Sequence, residues 1–480
     1  MGSLSRRLLL KSSALAAVVP AFPFMGRIQG AVAAQESSSP VTVYASGLFN
    51  PRGLTFGPDG KLYVALAGNG TPEQAPSAVR IEDGCGVVVA HGQPSTQGMS
   101  GAVQGPGSVA FLGEQMYLLQ DSEDDRGDLI STFPNGVYTV NADGSCTLLA
   151  DVSTWMNENP TKEIPADRGK LGETFAMLAG EGFLWVVESN EGQVLKVTPD
   201  GTITRIVDLS EGHPVPTGCA IAPDGGLYVG NLTDAPYPDG KAQVIHVAPD
   251  GTVKTVWEGL TMVVALTTVD GVIYACEMAT GNTTQPPFTV PGTGRIVKQT
   301  GPNSLEEVVS KLDFPIGMTT GPDGFIYAST PAFGGNGPSG AVLRIDPSAQ
   351  YLTAPANLYA NATCPGFQEA WKEQQSVFAS MTANADKPVP TANATVPANT
   401  APVTIVNFAF DPPSITVDAG RAVTWTNKDS VPHTATAKDG AFDSGNLNQD
   451  QSFTFVFDKP GTYDYICTYH PYMVGTIIVE

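Results

Sequence analysis

Near the end of the 480-residue sequence stands Cys467-Thr468-Tyr469-His470-Pro471-Tyr472-Met473, a Cys-x2-His-x2-Met run. Upstream, Val431-Pro432-His433-Thr434 adds a second imidazole after a stretch that contains Trp425. A thiolate, two imidazoles and a thioether, here Cys467, His433, His470 and Met473, form the donor set of a type 1 copper site. Such a site has a trigonal His2Cys plane and a weak axial Met. Thiolate sulfur binds Cu(I) and Cu(II) strongly, imidazole suits both, and the distant thioether tunes the potential. A scaffold that holds one geometry in both oxidation states keeps reorganisation small, so single electrons move quickly. The same residues admit two other readings, a redox-inactive domain and a zinc site, although zinc prefers four near-equal donors.

Elements able to hold these donors surround them. Short apolar-alternating runs at 403–410, 414–420, 421–427, 451–458, 461–467 and 475–480 predict a small β-sandwich over residues 403–480. Three of the ligands lie on one short loop near the last strand, while His433 arrives from a neighbouring strand. With Pro-His in the first ligand loop and Cys-Thr-x-His-Pro-x-Met in the second, this stretch resembles the cupredoxins of the plastocyanin/amicyanin type. The resemblance implies copper at His433, Cys467, His470 and Met473, with single-electron transfer to a redox partner. It also implies a near-surface His470 as the electron entry or exit point, inside an apolar rim of Pro432, Tyr469 and Pro471.

The middle of the chain is a repeat. Residues 53–66, 107–120, 175–188, 218–231, 264–277 and 317–330 share one phrase: an apolar strand, a turn often carrying Asp-Gly, then a strand with an aromatic at its second position. Those aromatics are Tyr63, Tyr117, Trp185, Tyr228, Tyr274 and Tyr327. Asp-Gly between alternating apolar runs signals a hairpin, and the spacing fits four-stranded blades. The sixth repeat lacks a clear fourth strand, whereas an unpaired VTVYASGL stands at 41–48, before the first blade. Residues 41–350 are therefore expected to form a six-bladed β-propeller closed by exchange of that strand, which leaves no open edge. The fold class is all-β: propeller, linker, sandwich.

The phrases end on Leu66, Gln120, Glu188, Asn231, Glu277 and Thr330. In a radial arrangement Glu188, Asn231 and Glu277 could converge on Ca²⁺ at one channel mouth, or simply face water. The acidic loop Asp121–Asp128 could chelate Ca²⁺ or be solvated. His91, His213 and His246 show no zinc or triad spacing, and no nucleophile elbow or phosphate loop is present. Asn50-Pro51-Arg52-Gly53-Leu54 and Gly57-Pro58-Asp59-Gly60 resemble propellers associated with scytonemin biosynthesis and the broader NHL and sugar-lactonase-like group. That resemblance implies a fold and a docking surface for a partner protein or small substrate. A lactonase-like hydrolase or oxidoreductase served by the copper domain, and a copper storage or delivery scaffold, are the alternative functions.

The remaining segments are connective. Arg6-Arg7 before an apolar stretch, with Ala31-Val32-Ala33-Ala34 after it, resembles a twin-arginine export signal over residues 1–34, which implies a periplasmic or extracellular protein. A helical extension is expected over 351–381, with Phe367, Trp371, Phe378 and Met381 on one stripe of a helix at 366–381. Residues 382–402, rich in Ala, Pro, Thr and Asn, read as a tether. With Cys467 committed to copper, five cysteines remain, enough for two disulfides. Cys85 with Cys146 and Cys219 with Cys276 are the pairings that repeat equivalence suggests. A net charge of −22 argues against nucleic acid as a partner, and no segment is apolar enough for a membrane span in the mature chain.

Overall fold

The computed structural model describes residues 39–70, 76–97, 103–122, 133–165, 171–234, 236–283, 288–334, 337–348, 352–385, 400–406, 409–429, 433–438, 440–445, 447–467 and 473–480. Residues 1–34, expected to be an export signal, lie outside them.

Six four-stranded antiparallel blades form the propeller, and the short strand Leu352–Thr353 adds in parallel to the outer edge of the fifth. Their first strands are Pro51–Phe56, Pro106–Leu112, Thr174–Ala179, Pro216–Ile221, Val263–Val269 and Gly317–Thr320. These six strands touch one another in cyclic order, the last contacting the first, so they are the innermost ring. The closing strand is the expected one: Val41–Leu48 runs antiparallel to Gly340–Ile345, with Val41 opposite Ile345 and Leu48 opposite Gly340. One further bridge, Ser46 to Cys85, joins this sixth blade to the first.

Close approach of the inner strands explains why the repeat phrase opens on glycine in four blades. A Cβ on Gly317 would lie 2.3 Å from the Arg52 carbonyl oxygen of the next blade, and one on Gly218 would lie 2.4 Å from the Ala265 Cα. Hydroxyls bond across the same seams, as Ser108 does to the Met177 carbonyl at 3.1 Å and Ser329 to the Arg52 carbonyl at 2.7 Å. Gly218→Ala should therefore destabilise the propeller by at least about 2 kcal/mol, because the obstruction is backbone and cannot rotate away. An unchanged urea midpoint would contradict that account.

The in-register aromatic has an equally local cause. Tyr327 donates its hydroxyl to the turn carboxylate of Asp323 at 2.9 Å, and Arg344 on the third strand reaches the same oxygen at 3.0 Å. Tyr63, Asp59 and Arg80 repeat the arrangement in the first blade. In the fourth blade His246 takes the cation's place, 3.1 Å from Asp224. In the first and sixth blades the phenol thus ties the Asp-Gly turn to its own blade while its ring is buried between blades.

Two helices are described: α1 (Val152–Glu158) follows the last strand of the second blade, and α2 (Phe367–Ala385), after the ring, follows the expected stripe. Phe367, Trp371 and Phe378 are buried, and Phe378 meets Phe314 of the propeller at 5.6 Å between ring centroids. Met381's side chain lies outside the description. The cysteine pairings differ from expectation: Cys85 is bonded to Cys364, with 5.7 Å between their Cα atoms, and Cys146, Cys219 and Cys276 are thiols. Repeat-equivalent cysteines are related by the ring's rotation, which keeps them on separate blades. Cys364 instead returns to the seam after the ring has closed.

The C-terminal sandwich pairs two sheets. One is ordered Ala409–Asp411, Thr400–Val406, Arg421–Asn427, Ser452–Phe457, and the other Ser414–Val417, Val474–Val479, Gly461–Ile466, Thr436–Ala437. Trp425, fully buried, centres its core, with Tyr465 5.4 Å and Phe442 5.0 Å away between ring centroids. Among the described residues no helix is long and apolar enough to cross a membrane.

Candidate metal centre

Cys467 follows the strand Gly461–Ile466 directly, and Met473 precedes Val474–Val479. The two strands are antiparallel neighbours with Ile466 opposite Val474, so their pairing brings the ends of the ligand loop together. The Cys467 N–H donates to the Met473 carbonyl at 3.1 Å, which clasps that loop at its base. Both side chains are buried in the sandwich core. Residues 468–472, which carry His470, Tyr469 and Pro471, lie outside the described residues, as does Pro432.

His433 comes from the other side of the site. Its backbone exchanges two hydrogen bonds with Leu447, at 3.0 and 2.8 Å, and its ring is completely buried. The ring Nδ1 faces the Cys467 sulfur at 3.7 Å. The other nitrogen, Nε2, lies 2.9 Å from the Asp429 carboxylate. A carboxylate accepts only, so Nε2 carries the proton and Nδ1 presents its lone pair towards the sulfur. Burial lowers the pKa of His433, against the opposing pull of Asp429, which favours the neutral, ligating ring. The Thr434 N–H points at the Cys467 sulfur at 3.3 Å, a donor suited to a thiolate. A buried sulfur, a neutral imidazole nitrogen and a buried thioether, with an amide dipole aimed at the sulfur, fit a soft transition metal such as copper.

The residues singled out in the propeller are placed differently. Glu188, Asn231 and Glu277 each close a loop of their own blade. Glu188 accepts from the backbone N–H groups of Glu173 and Asn190, at 3.0 and 2.9 Å, and from the Gln193 amide at 3.2 Å. Burial pushes its pKa up to about 7 despite these donors. Asn231 donates to the Pro214 carbonyl at 2.8 Å and accepts from the Gln243 N–H at 2.7 Å. Glu277 accepts from the Thr261 N–H and the Arg295 guanidinium, and burial raises its pKa while Arg295 opposes the rise. Gln120 and Thr330 do the same work, bonding to the carbonyls of Pro94 and Asp313. In five of the six blades the shared repeat position thus bonds to chain that precedes its own inner strand, Leu66 being the apolar exception. Among the described residues no group of three or more His, Cys, Asp and Glu side chains is set to hold a metal. Of the acidic loop, only Asp121 and Ser122 are described.

Comparison with known proteins bears on the sandwich. Residues 377–479 match the model of the cupredoxin-like domain. Amicyanin-alpha of Methylorubrum extorquens is 40% identical over 89 residues, which cover 18% of this chain and 75% of that protein. The chain belongs to the cupredoxin family. Amicyanin of Paracoccus versutus is 36% identical over 120 residues, 24% of this chain and 86% of its own length. A solved structure of a reduced amicyanin variant is 31% identical, with a TM-score of 0.18, covering 18% of this chain and 90% of that one. The cupredoxin match thus accounts for the last fifth of the chain and leaves the propeller to be argued from its own geometry.

The cupredoxin site has one participant that sequence reasoning missed. Asp429 stands four residues before His433, and its carboxylate fixes the imidazole's tautomer and orientation from outside the ligand set. A carboxylate four residues before a candidate ligand was the available signal, but spacing alone does not show that the two side chains meet. Asp429→Asn removes a negative charge that favours the more positive oxidised site. The reduction potential of the copper-loaded variant should rise by on the order of 50 mV, measured by redox titration. A potential that stays or falls would remove Asp429 from the site.

Proposed function

We propose that the chain is an exported one-electron carrier whose cupredoxin domain is joined to a propeller that binds a partner protein or a small substrate. The observation that carries this reading is the buried Cys467–His433 pair, sulfur facing Nδ1, with Met473 clasped beside it. Copper, when bound, supplies a Cu(I)/Cu(II) couple. Cys467, His433 and Met473 would hold it together with His470 of the adjoining loop. Asp429 keeps the proton on Nε2 of His433, so that Nδ1 remains a donor to metal in both oxidation states. The Thr434 amide tempers the charge on sulfur. Paired strands and the Trp425-centred core hold these groups in place and exclude water, which keeps rearrangement small as charge changes.

The name amicyanin on two relatives, and plastocyanin on another from Tetradesmus obliquus, supports electron transfer as the role of the domain. Arg6-Arg7 and the apolar stretch that follows support export. The expected linker is shorter than 382–402, because the helix runs to Ala385 and the first sandwich strand begins at Thr400; residues 386–399 would then act as a tether that raises the concentration of the copper domain near whatever the propeller binds. The test is an absorption spectrum of the copper-loaded full chain. An intense visible thiolate-to-Cu(II) band is expected, bleached by ascorbate and restored by ferricyanide. A chain that binds copper without such a band is not a carrier of this kind.

A further inference from the structure

Outside the sandwich, a half-open cavity of about 340 Å³ lies where α2 and the segment before it meet the fifth blade. Its walls include Leu312, Leu358, Tyr359 and Trp371, and its polar groups include Asp313 and Gln375. The two aromatic rings are buried and lean on one another, with 4.2 Å between centroids and a 45° tilt. Asp313 is partly buried and receives a backbone N–H from Gly292, and no cation among the described residues is paired with it. Lys311 sits at the rim, exposed.

We infer that this cavity binds a small organic cation, a flat amidinium or ammonium compound whose charge meets Asp313 and whose body lies against Trp371 and Tyr359. Three features favour that class. A carboxylate drawn partly out of water, without a counter-charge, gains most from a ligand that brings one. Tryptophan and tyrosine are the side chains whose faces attract cations best. The volume suits a ligand of about one ring, at the low end of small-molecule sites. Desolvation lifts the Asp313 pKa to about 6, which leaves the carboxylate ionised near neutral pH yet weakly hydrated. The site is independent of the copper centre, and neither proposal depends on the other.

Titration calorimetry of the full chain at pH 7.5 with benzamidine, and with its neutral counterpart benzamide, tests the inference. Benzamidine should bind at least about tenfold more tightly, since hydrogen bonds between charged groups exceed those of neutral ones. Asp313→Asn should remove that preference. Gln375→Glu, at the exposed rim, should tighten benzamidine about threefold and leave benzamide unchanged, and it carries the test if Asp313→Asn fails to fold. Equal binding of the two probes, or indifference of benzamidine to either substitution, overturns the proposal.

Discussion

Cys467→Ser should abolish the intense visible band of the copper-loaded chain, leaving at most weak ligand-field absorption, a loss of at least about tenfold in extinction at equal copper. The band requires a thiolate sulfur whose electrons can move onto Cu(II). A serine hydroxyl stays protonated, is harder, and sits on a shorter bond from Cβ. Cys467 is wholly buried beneath the clasp between its own N–H and the Met473 carbonyl, so no other thiol can replace it without opening the sandwich. The other described thiols, Cys146, Cys219 and Cys276, all lie in the propeller, where burial raises each of their pKa values. The fold itself should survive, because the smaller oxygen occupies the same pocket and can still accept from the Thr434 N–H. Circular dichroism near that of the wild type, together with a missing band, is the expected pair of results. A variant that keeps the band would detach Cys467 from the metal.

The contrast with Asp429→Asn separates two kinds of control. Removing the sulfur deletes the chromophore, whereas neutralising Asp429 leaves the donors in place and shifts only the balance between oxidation states. The first role was legible from residue type and spacing, because softness restricts which side chains can serve. The second was not, because it depends on the tertiary contact that sets the Asp429 carboxylate beside Nε2 of His433.

The same division runs through the propeller. The six phrases revealed the blades, since alternation, Asp-Gly turns and an in-register aromatic are local signals, and the orphan strand at 41–48 revealed how the ring closes. The roles of Glu188, Asn231 and Glu277 were hidden. Their common position suggested a common ring, but a buried carboxylate or amide takes the nearest donors and acceptors, and those belong to the segment entering its own blade. Disulfide pairing was hidden too, for a bond across 279 residues can be read only once closure has placed both ends at one seam.

That seam gives the second large effect. Cys85 opens the outer strand of the first blade, beside the closing strand at Ser46, and Cys364 packs against the same strand, where a Cβ on Gly47 would lie 2.9 Å from its own Cβ. The disulfide therefore fastens the first blade, the closing strand and the segment leading to α2 at one point. In the unfolded chain it closes a loop of 279 residues, and the chain-entropy relation puts the stabilisation from a loop this long at about 5.6 kcal/mol. Replacing both cysteines by serine, so that neither partner of the bond is left as a new thiol, should lower the propeller's melting temperature by roughly 10 °C. The copper band should persist at ordinary temperature, because none of its ligands lies in the propeller. Melting followed by circular dichroism, with the visible band recorded beforehand, reads both outcomes. An unchanged melting temperature would mean that the noncovalent pairing of Val41–Leu48 with Gly340–Ile345 alone sets the strength of the seam.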